Sequence, residues 1–234
     1  MIRRPLAIAL ALCLSTAALA HETDDHTGDD SRGRDRSRVM GGLNADEGET
    51  VGDMETVNGG ISVEERAHAG SLQTVNGGID VEDDAEIKDA STVNGGIELG
   101  QRVRVAGGLE TVNGGIRVDF LSKVGGDVGT VNGGITVRQT DVGGRIRLVN
   151  GDVTVGAKSH VHGGILVEKN KGIDFGWGNR KPRVPRIIIG PNAIVDGELR
   201  FERKVDLYVH TSAKVGTVIG ATAQPYTDTI PERD

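Results

Sequence analysis

The chain has almost no cysteine and few aromatic residues, and both shortages limit what it can be. Its 234 residues include one cysteine, one tryptophan, two tyrosines and three phenylalanines. Cys13 lies in an apolar stretch that follows Arg3 and Arg4 and precedes the small residues Ala18-Leu19-Ala20. This order predicts a secretory signal peptide over residues 1–20. The exported chain would then have no cysteine for a disulfide or for a lipid anchor.

Long apolar stretches are missing as well. The stretch from Leu6 to Leu14 is too short to span a bilayer, and no other segment approaches that length. We therefore expect no transmembrane segment in the mature chain, which would be exported to the periplasm or to the cell surface. The net charge of −7 argues against a nucleic acid as partner, and no cofactor is predicted.

What the chain has in abundance is glycine, with 36 residues, and eleven of them lie in the copies of one short internal repeat. The hexapeptide Thr-Val-Asn-Gly-Gly-Ile occurs five times, and Leu-Val-Asn-Gly-Asp-Val is a sixth, degenerate copy. The steps between successive asparagines are 18, 18, 19, 19 and 18 residues, and these asparagines are Asn58, Asn76, Asn94, Asn113, Asn132 and Asn150. So regular a period indicates one structural unit stacked on itself.

Four positions of the unit are apolar in every copy. They lie four and one residues before the asparagine, as in Met54 and Val57, and three and five residues after it, as in Ile61 and Val63. Because the segment after the asparagine alternates apolar with polar residues and is rich in β-branched ones, it predicts a strand. We expect the side chains of all four columns to face the interior.

These features predict an all-β fold, a single-stranded parallel β-helix (β-solenoid) with 18–19-residue coils and a cap at its C-terminal end. Glycine would allow the positive φ that a sharp corner needs. The asparagine amides would hydrogen-bond to one another along the axis as a ladder. A meander of Asn-Gly hairpins is the competing interpretation.

The rest of the chain divides by composition. Residues 21–38 contain no apolar residue, which predicts a disordered polar linker whose His21 and His26 could bind a metal only weakly. Residues 39–168 hold the repeats. Residues 187–222 resemble the short coils of bactofilin-like scaffolds and hexapeptide-repeat acyltransferases, which predicts a continuation and closure of the solenoid, and residues 223–234 read as a tail.

One long loop, residues 169–186, interrupts the pattern and is the candidate binding segment. It contains Trp177, Arg180, Lys181, Arg183 and Arg186, and aromatic and basic groups on a loop can bind an anionic glycan or a partner protein. The competing interpretation is that Trp177 packs over the side of the helix. Just before the loop, His162 occupies the asparagine position of Val-His-Gly-Gly-Ile, and we expect it to cap the ladder rather than to bind a metal.

Charge is distributed unevenly along the axis. Residues 41–100 carry 14 acids against 2 bases, a net of −12, and residues 101–234 carry 19 bases against 14 acids, a net of +5. This asymmetry suggests head-to-tail self-association of acidic and basic ends, and the competing interpretation is that the charges only solvate the faces of the β-helix.

The Val-Asn-Gly-Gly-Ile repeats behind a signal peptide resemble a bacterial family of adhesin-type parallel β-helix proteins, over roughly residues 50–170. The resemblance implies a noncatalytic exported cell-envelope protein, an adhesin-like binding module or a structural scaffold, with an envelope glycan or a surface protein as partner. It supplies no catalytic residues.

The alternative is a β-helix polysaccharide lyase or hydrolase. Such a site needs a cleft with clustered acids or arginines, and the arginines from Arg102 to Arg147 could align on one face, although no column of acids accompanies them. An acyltransferase is suggested only by residues 187–220, and a calcium-binding repeat only by the isolated Val124-Gly-Gly-Asp-Val.

Overall fold

The computed structural model describes residues 33–169 and 183–228, and this part of the chain is a parallel β-solenoid with no helix. Ten successive coils each run over three faces, and every strand pairs in parallel with its equivalent in the next coil. The predicted all-β solenoid is confirmed, and the hairpin meander is excluded because all the pairings are parallel.

Face 1 contains the six strands that end at the repeat asparagines and the four strands that stack before and after them. Its strands are β1 (Arg36–Met40), β3 (Met54–Asn58), β5 (His68–Asn76), β7 (Glu86–Asn94), β10 (Leu109–Asn113), β13 (Val128–Asn132), β16 (Ile146–Asn150), β19 (Ile165–Val167), β22 (Leu199–Phe201) and β25 (Val218–Ile219).

Face 2 follows the Gly-Gly corner of each coil. Its strands are β2 (Leu43–Ala45), β4 (Ile61–Val63), β6 (Ile79–Val81), β8 (Ile97–Leu99), β11 (Ile116–Val118), β14 (Ile135–Val137), β17 (Val153–Val155), β20 (Arg186–Ile189), β23 (Asp206–His210) and β26 (Ala223–Tyr226).

Face 3 closes each coil with very short strands. They are β9 (Arg104–Val105), β12 (Lys123–Val124), β15 (Asp141–Val142), β18 (His160–Val161), β21 (Ile194–Val195) and β24 (Lys214–Val215). The two longest strands, β5 and β7, begin on face 3 and end on face 1, so that the two faces form one 16-stranded sheet beside the 10-stranded sheet of face 2.

Three of the four predicted apolar columns fill the core, and the fourth does not. The columns of Met54, Ile61 and Val63 are buried in all six repeats. The valines before the asparagines face outward, and the threonine column beginning at Thr56 takes their place inside. The reason is the alternation of an extended strand: when Met54 points inward, Thr56 must do so as well and Val57 cannot.

Each buried threonine has a defined partner. The hydroxyl of Thr92 donates to the carbonyl oxygen of Gly77 in the preceding coil at 2.9 Å, and four other repeat threonines bond in the same way at 2.8–3.0 Å. A buried hydroxyl without a partner would be costly. The threonine therefore fixes the corner to the strand of the next coil.

The Gly-Gly corner needs glycine chiefly for close approach, and in the described residues positive φ occurs there only at Gly41 and Gly151. A Cβ on Gly95 would lie 1.9 Å from the carbonyl oxygen of Gly77 in the preceding coil, and the equivalent glycines of the other repeats are about as crowded. Positive φ recurs at the corner between faces 2 and 3, where seven stacked non-glycine residues adopt it: Arg66, Asp84, Arg102, Leu121, Gln139, Lys158 and Asn192.

The asparagine side chains form the predicted ladder. In each of five steps, from Asn76 to Asn150, an amide Nδ2 donates to the Oδ1 of the asparagine one coil earlier at 2.9–3.0 Å. The ladder does not end on His162. The guanidinium of Arg203 donates to Oδ1 of Asn150 at 2.7 Å and to the carbonyl oxygen of Val149 at 3.1 Å, which satisfies the last acceptor.

The placement of His162 was wrong because its motif belongs to a different corner. Val161 pairs with Val142 on face 3 and Ile165 pairs with Ile146 on face 1. Val-His-Gly-Gly-Ile therefore turns from face 3 to face 1, whereas Val-Asn-Gly-Gly-Ile turns from face 1 to face 2. Two motifs with the same spacing thus form two different corners of the coil.

Three predicted boundaries differ from the structure. Residues 36–38, assigned to the linker, begin β1; Arg186, assigned to the loop, begins β20; and residues 223–226, assigned to the tail, form β26. In each case pairing with the adjacent coil orders a segment whose own composition is polar. The signal peptide and residues 21–32 lie outside the described residues, and the C-terminal cap stays a prediction.

Candidate functional site

A groove runs along face 1. It has a volume of about 480 Å³ and is lined by residues of seven coils, from β1 to β16. Six strand steps of about 4.8 Å make this stretch about 29 Å long. Its lining combines outward valines, represented by Val57 and Val93, with polar residues that alternate with them along the strands. The groove is therefore long, narrow and regular, which suits an extended ligand.

Acidic and basic groups meet at one end of this groove. Glu110 on β10 and Arg147 on β16 stand in the same outward column, two coils apart, and Gly129 lies between them in the pairing. Because Gly129 has no side chain, the guanidinium of Arg147 extends across it. An Nη atom of Arg147 lies 3.7 Å from a carboxylate oxygen of Glu110 and 2.7 Å from one of Asp127.

The electrostatic environment of Glu110 is unusual for this surface. Burial raises the pKa of the Glu110 carboxyl above its usual value; Asp127 and Asp89 raise it further, and the opposing effect of Arg147 is smaller than that of burial. Nε of Arg147 is buried and has no hydrogen-bond partner. Carboxyls with raised pKa values in grooves are often functional because they can carry a proton near neutral pH.

This cluster can bind a polar group of a ligand through the guanidinium and the carboxyls, and it can exchange a proton through Glu110. This cluster does not follow from the sequence as long as the valines before the asparagines are assigned to the interior. Once Val112 is placed on the outer surface, the alternation of β10 places Glu110 there as well. The column of Glu110 continues through Gly129 to Arg147 in the next two coils. The sequence therefore already contained the pattern that identifies this cluster.

The other arginines do not join Arg147. Arg117 lies outward on face 2 and Arg104 outward on face 3, while Arg102 is at the positive-φ corner and is bonded to Asp84 at 2.6 Å. The suggested alignment of arginines on one face is therefore wrong. The three faces separate residues that are close in sequence.

Of the five residues of the candidate binding loop, the structure describes two. Arg183 donates to Oδ2 of Asp152 at 2.9 Å, and the backbone N–H of Arg186 donates to Oδ1 of Asp152 at 2.8 Å. The Arg186 guanidinium also lies over the ring of Tyr208 at 5.3 Å. Both arginines thus anchor the return of the chain to face 2. Trp177, Arg180 and Lys181 lie outside the described residues.

A second group of ionisable side chains lies on face 3. Asp141, His160 and His162 each bring one potential ligand atom within 4.8 Å of the others, and Asp196 contacts both histidines. His162 was expected to cap the ladder rather than to bind a metal, but the structure places two potential metal ligands beside it. His160 lies two residues before His162, on the same side of the extended chain, so the sequence alone could identify it as a second potential ligand.

Comparisons with known protein families, with curated proteins and with solved structures give no match. Among residues 33–169 and 183–228 there is no helix with the length and hydropathy of a membrane span. The geometry of the solenoid and of these two clusters is therefore what supports a functional proposal.

Proposed function

We propose that the protein is a noncatalytic, exported cell-envelope protein that uses face 1 of its solenoid as an adhesin-like binding surface. The observation that carries the proposal is the groove along face 1, where outward side chains recur at the strand spacing over about 29 Å. The export rests on the signal-peptide pattern of residues 1–20, and cleavage before His21 can be checked by the mass of the mature chain.

The lining of the groove indicates the chemistry of its partner. It contains Glu55, Asp89, Glu110 and Asp127 but only two arginines, Arg38 and Arg147, and it contains no aromatic ring. An acidic surface disfavours an anionic polymer, and without rings there is no platform on which sugars can stack.

Valines and hydrogen-bonding groups suit an extended polypeptide. We therefore assign the groove to an extended segment of a surface protein, and a neutral envelope glycan is the other outcome of the test.

The test compares two variants that add the same charge to different faces. Val93→Asp places a carboxylate in the groove, and Thr154→Asp places one on the outward side of β17 on face 2. Binding of the mature protein to a purified envelope fraction would be measured by co-sedimentation, before and after protease treatment and periodate oxidation of that fraction.

We expect Val93→Asp to reduce binding at least tenfold and Thr154→Asp to leave it unchanged. Protease treatment should abolish binding, whereas abolition by periodate alone would assign the groove to a glycan. Equal binding by the two variants, or no binding of the unmodified chain, would refute the proposal for face 1.

The alternative function, a polysaccharide lyase or hydrolase, is favoured by one specific observation: the raised pKa of Glu110 beside Arg147. A carboxyl with a raised pKa keeps its proton to a higher pH, which favours a role as general acid. Release of new sugar ends from envelope polysaccharide, lost in Glu110→Gln, would establish this activity. A preparation that releases none at any pH between 4 and 8 would exclude it for the substrate tested.

A scaffold role would require the solenoid to assemble. At one end of the described residues β1 and β2 each pair on one side only, and at the other end β24, β25 and β26 do so. Unpaired strand edges can add further strands. Light scattering of the mature protein in low and high salt tests this, because assembly through the acidic and basic ends should dissolve as salt increases.

A further inference from the structure

Two histidines and two aspartates from three successive coils meet on face 3. Asp141 belongs to β15, His160 and His162 to β18 and the residue after it, and Asp196 follows β21 in the next coil. Asp141 is the Cα partner of His160, which in turn pairs with Ile194 two residues before Asp196. Parallel stacking alone therefore brings together residues that are up to 55 positions apart in the chain.

The alternation of β18 directs both imidazoles outward. Val161 is fully buried, so its neighbours on either side must face the solvent. The two rings lie side by side with their centroids 3.8 Å apart. Their side chains are 33% and 43% exposed, which leaves them accessible to an ion from solution.

The ring nitrogens contact carboxylates of both neighbouring coils. Nε2 of His160 lies 2.6 Å from Oδ2 of Asp196, and Nε2 of His162 lies 3.1 Å from Oδ1 of Asp141. Nδ1 of His162 is 3.3 Å from the same Oδ2 of Asp196. The carboxylate of Asp196 thus bridges the two histidines, and that of Asp141 contacts the other ring nitrogen of His162.

Asp141, His160 and His162 have the spacing of a ligand set. Ligand atoms placed tetrahedrally at about 2.0–2.1 Å from a zinc ion lie about 3.3 Å from one another, and one ligand atom from each of these three side chains lies within 4.8 Å of the other two. Two imidazoles with a carboxylate suit Zn²⁺ and neighbouring first-row ions, whereas Ca²⁺ and Mg²⁺ prefer oxygen ligands alone. The carboxylates of Asp141 and Asp196 also balance the charge of a divalent ion.

We propose that Asp141, His160 and His162 bind a divalent transition-metal ion, with Zn²⁺ as the probe of choice, and that Asp196 orients the two histidines that it contacts. The position of the site gives it a structural role. Asp196 belongs to the coil that is interrupted between β19 and β20 by the longest insertion in the solenoid, and the three ligands belong to the two coils before it. The ion, through the histidines that Asp196 contacts, joins this interrupted coil to the regular stack.

The site is tested by calorimetric titration of the full mature chain with Zn²⁺. His21 and His26 are replaced by alanine in every protein compared, so that they contribute nothing to the signal. His162→Gln removes a ligand. His68→Gln is the matched control, because His68 also faces outward on face 3 beside an acid, Glu86 at 3.5 Å, but has no second histidine.

We expect one Zn²⁺ per chain, at least 100-fold weaker binding in His162→Gln, and an unchanged affinity in His68→Gln. Asp196→Asn should weaken binding at least tenfold, and Ca²⁺ should not compete. The site is refuted if the chain with His162 intact shows no saturable binding, or if the His162 and His68 variants bind Zn²⁺ equally.

The structural role has its own readout. Hydrogen exchange of the amides of β20 and β21 should slow when Zn²⁺ is added to the chain with His162 intact, and it should not change in His162→Gln. Binding without this protection would overturn the proposed joining of the coils. A circular-dichroism spectrum identical to that of the parent confirms that each variant is folded before its affinity is interpreted.

Discussion

The asparagine ladder allows an internal rung to be compared with a terminal one. Asn94 takes part in two amide–amide hydrogen bonds, since its Nδ2 donates to Asn76 and its Oδ1 accepts from Asn113. Asn58 takes part in one, in which it accepts from Asn76. Asn94→Ala therefore removes two ladder hydrogen bonds and Asn58→Ala removes one. The change of side chain is the same in both variants.

The magnitudes follow from the bond count. A net contribution of about 0.5–1.5 kcal/mol per hydrogen bond predicts a loss of about 1–3 kcal/mol in the free energy of unfolding for Asn94→Ala. The same value predicts about 0.5–1.5 kcal/mol for Asn58→Ala. At about 2–4 °C per kcal/mol for a chain of this size, Asn94→Ala should melt about 2–12 °C below the parent.

The assay is urea unfolding followed by circular dichroism, with the slope of the transition compared between variants. An unchanged slope shows that the surface exposed on unfolding is the same, so that a shifted midpoint reports stability alone. If Asn94→Ala and Asn58→Ala shift the midpoint equally, or if neither shifts it, the ladder does not stabilise the stack and the reasoning is refuted.

Three further predictions concern the corner, the groove and the end of the ladder. Gly95→Ala should prevent or severely destabilise folding, because its Cβ would lie 1.9 Å from the carbonyl oxygen of Gly77. Glu110→Gln should raise the urea midpoint at pH 7 and not at pH 4. The reason is that folding raises the pKa of the Glu110 carboxyl. Such a carboxyl contributes stability below its pKa in the unfolded chain, and this stability is lost as the pH rises through its pKa in the folded chain. Arg203→Ala should lower the free energy of unfolding by about 1–3 kcal/mol, because Asn150 Oδ1 loses its charged donor.

Each of the three has a control or a contradicting outcome. Gly96→Ala is the matched control for the corner, since its Cβ would meet the nearest atom at 3.3 Å, and similar losses at the two glycines would contradict the close-approach argument. A Glu110→Gln effect that is the same at both pH values would show that the change is one of packing. For Arg203, Lys204→Ala is the neighbouring control and should change the midpoint little.

The period of the repeat was sufficient to determine the architecture. Steps of 18 and 19 residues between identical asparagines permit little except stacked coils, and stacking in register places the amides of Asn76 and Asn94 within hydrogen-bond distance. The buried columns of Met54, Ile61 and Val63 followed from the same pattern. These features depend on local periodicity, and a single sequence contains all of it.

Periodicity could not decide which of two neighbouring columns, the threonines or the valines, faces the core, because both recur with the same period. Val57 and Thr56 are both β-branched, and hydrophobicity alone favoured burying the valine. The structure buries the threonine because the strand alternates from Met54 and because the carbonyl oxygen of Gly41 offers its hydroxyl an acceptor. That acceptor belongs to another coil, so the choice was made by the stack and not by the segment.

The two candidate sites were decided by tertiary structure for the same reason. Glu110 meets Arg147 across Gly129, and His160 meets Asp196 across 36 residues that include a long insertion. The period of the sequence alone shows that the chain forms stacked coils, and it shows which residues repeat within each coil. The face that a residue occupies depends on the position of each corner in the chain. Charged groups of separate coils come into contact only in the folded solenoid, because there every strand pairs with the next coil.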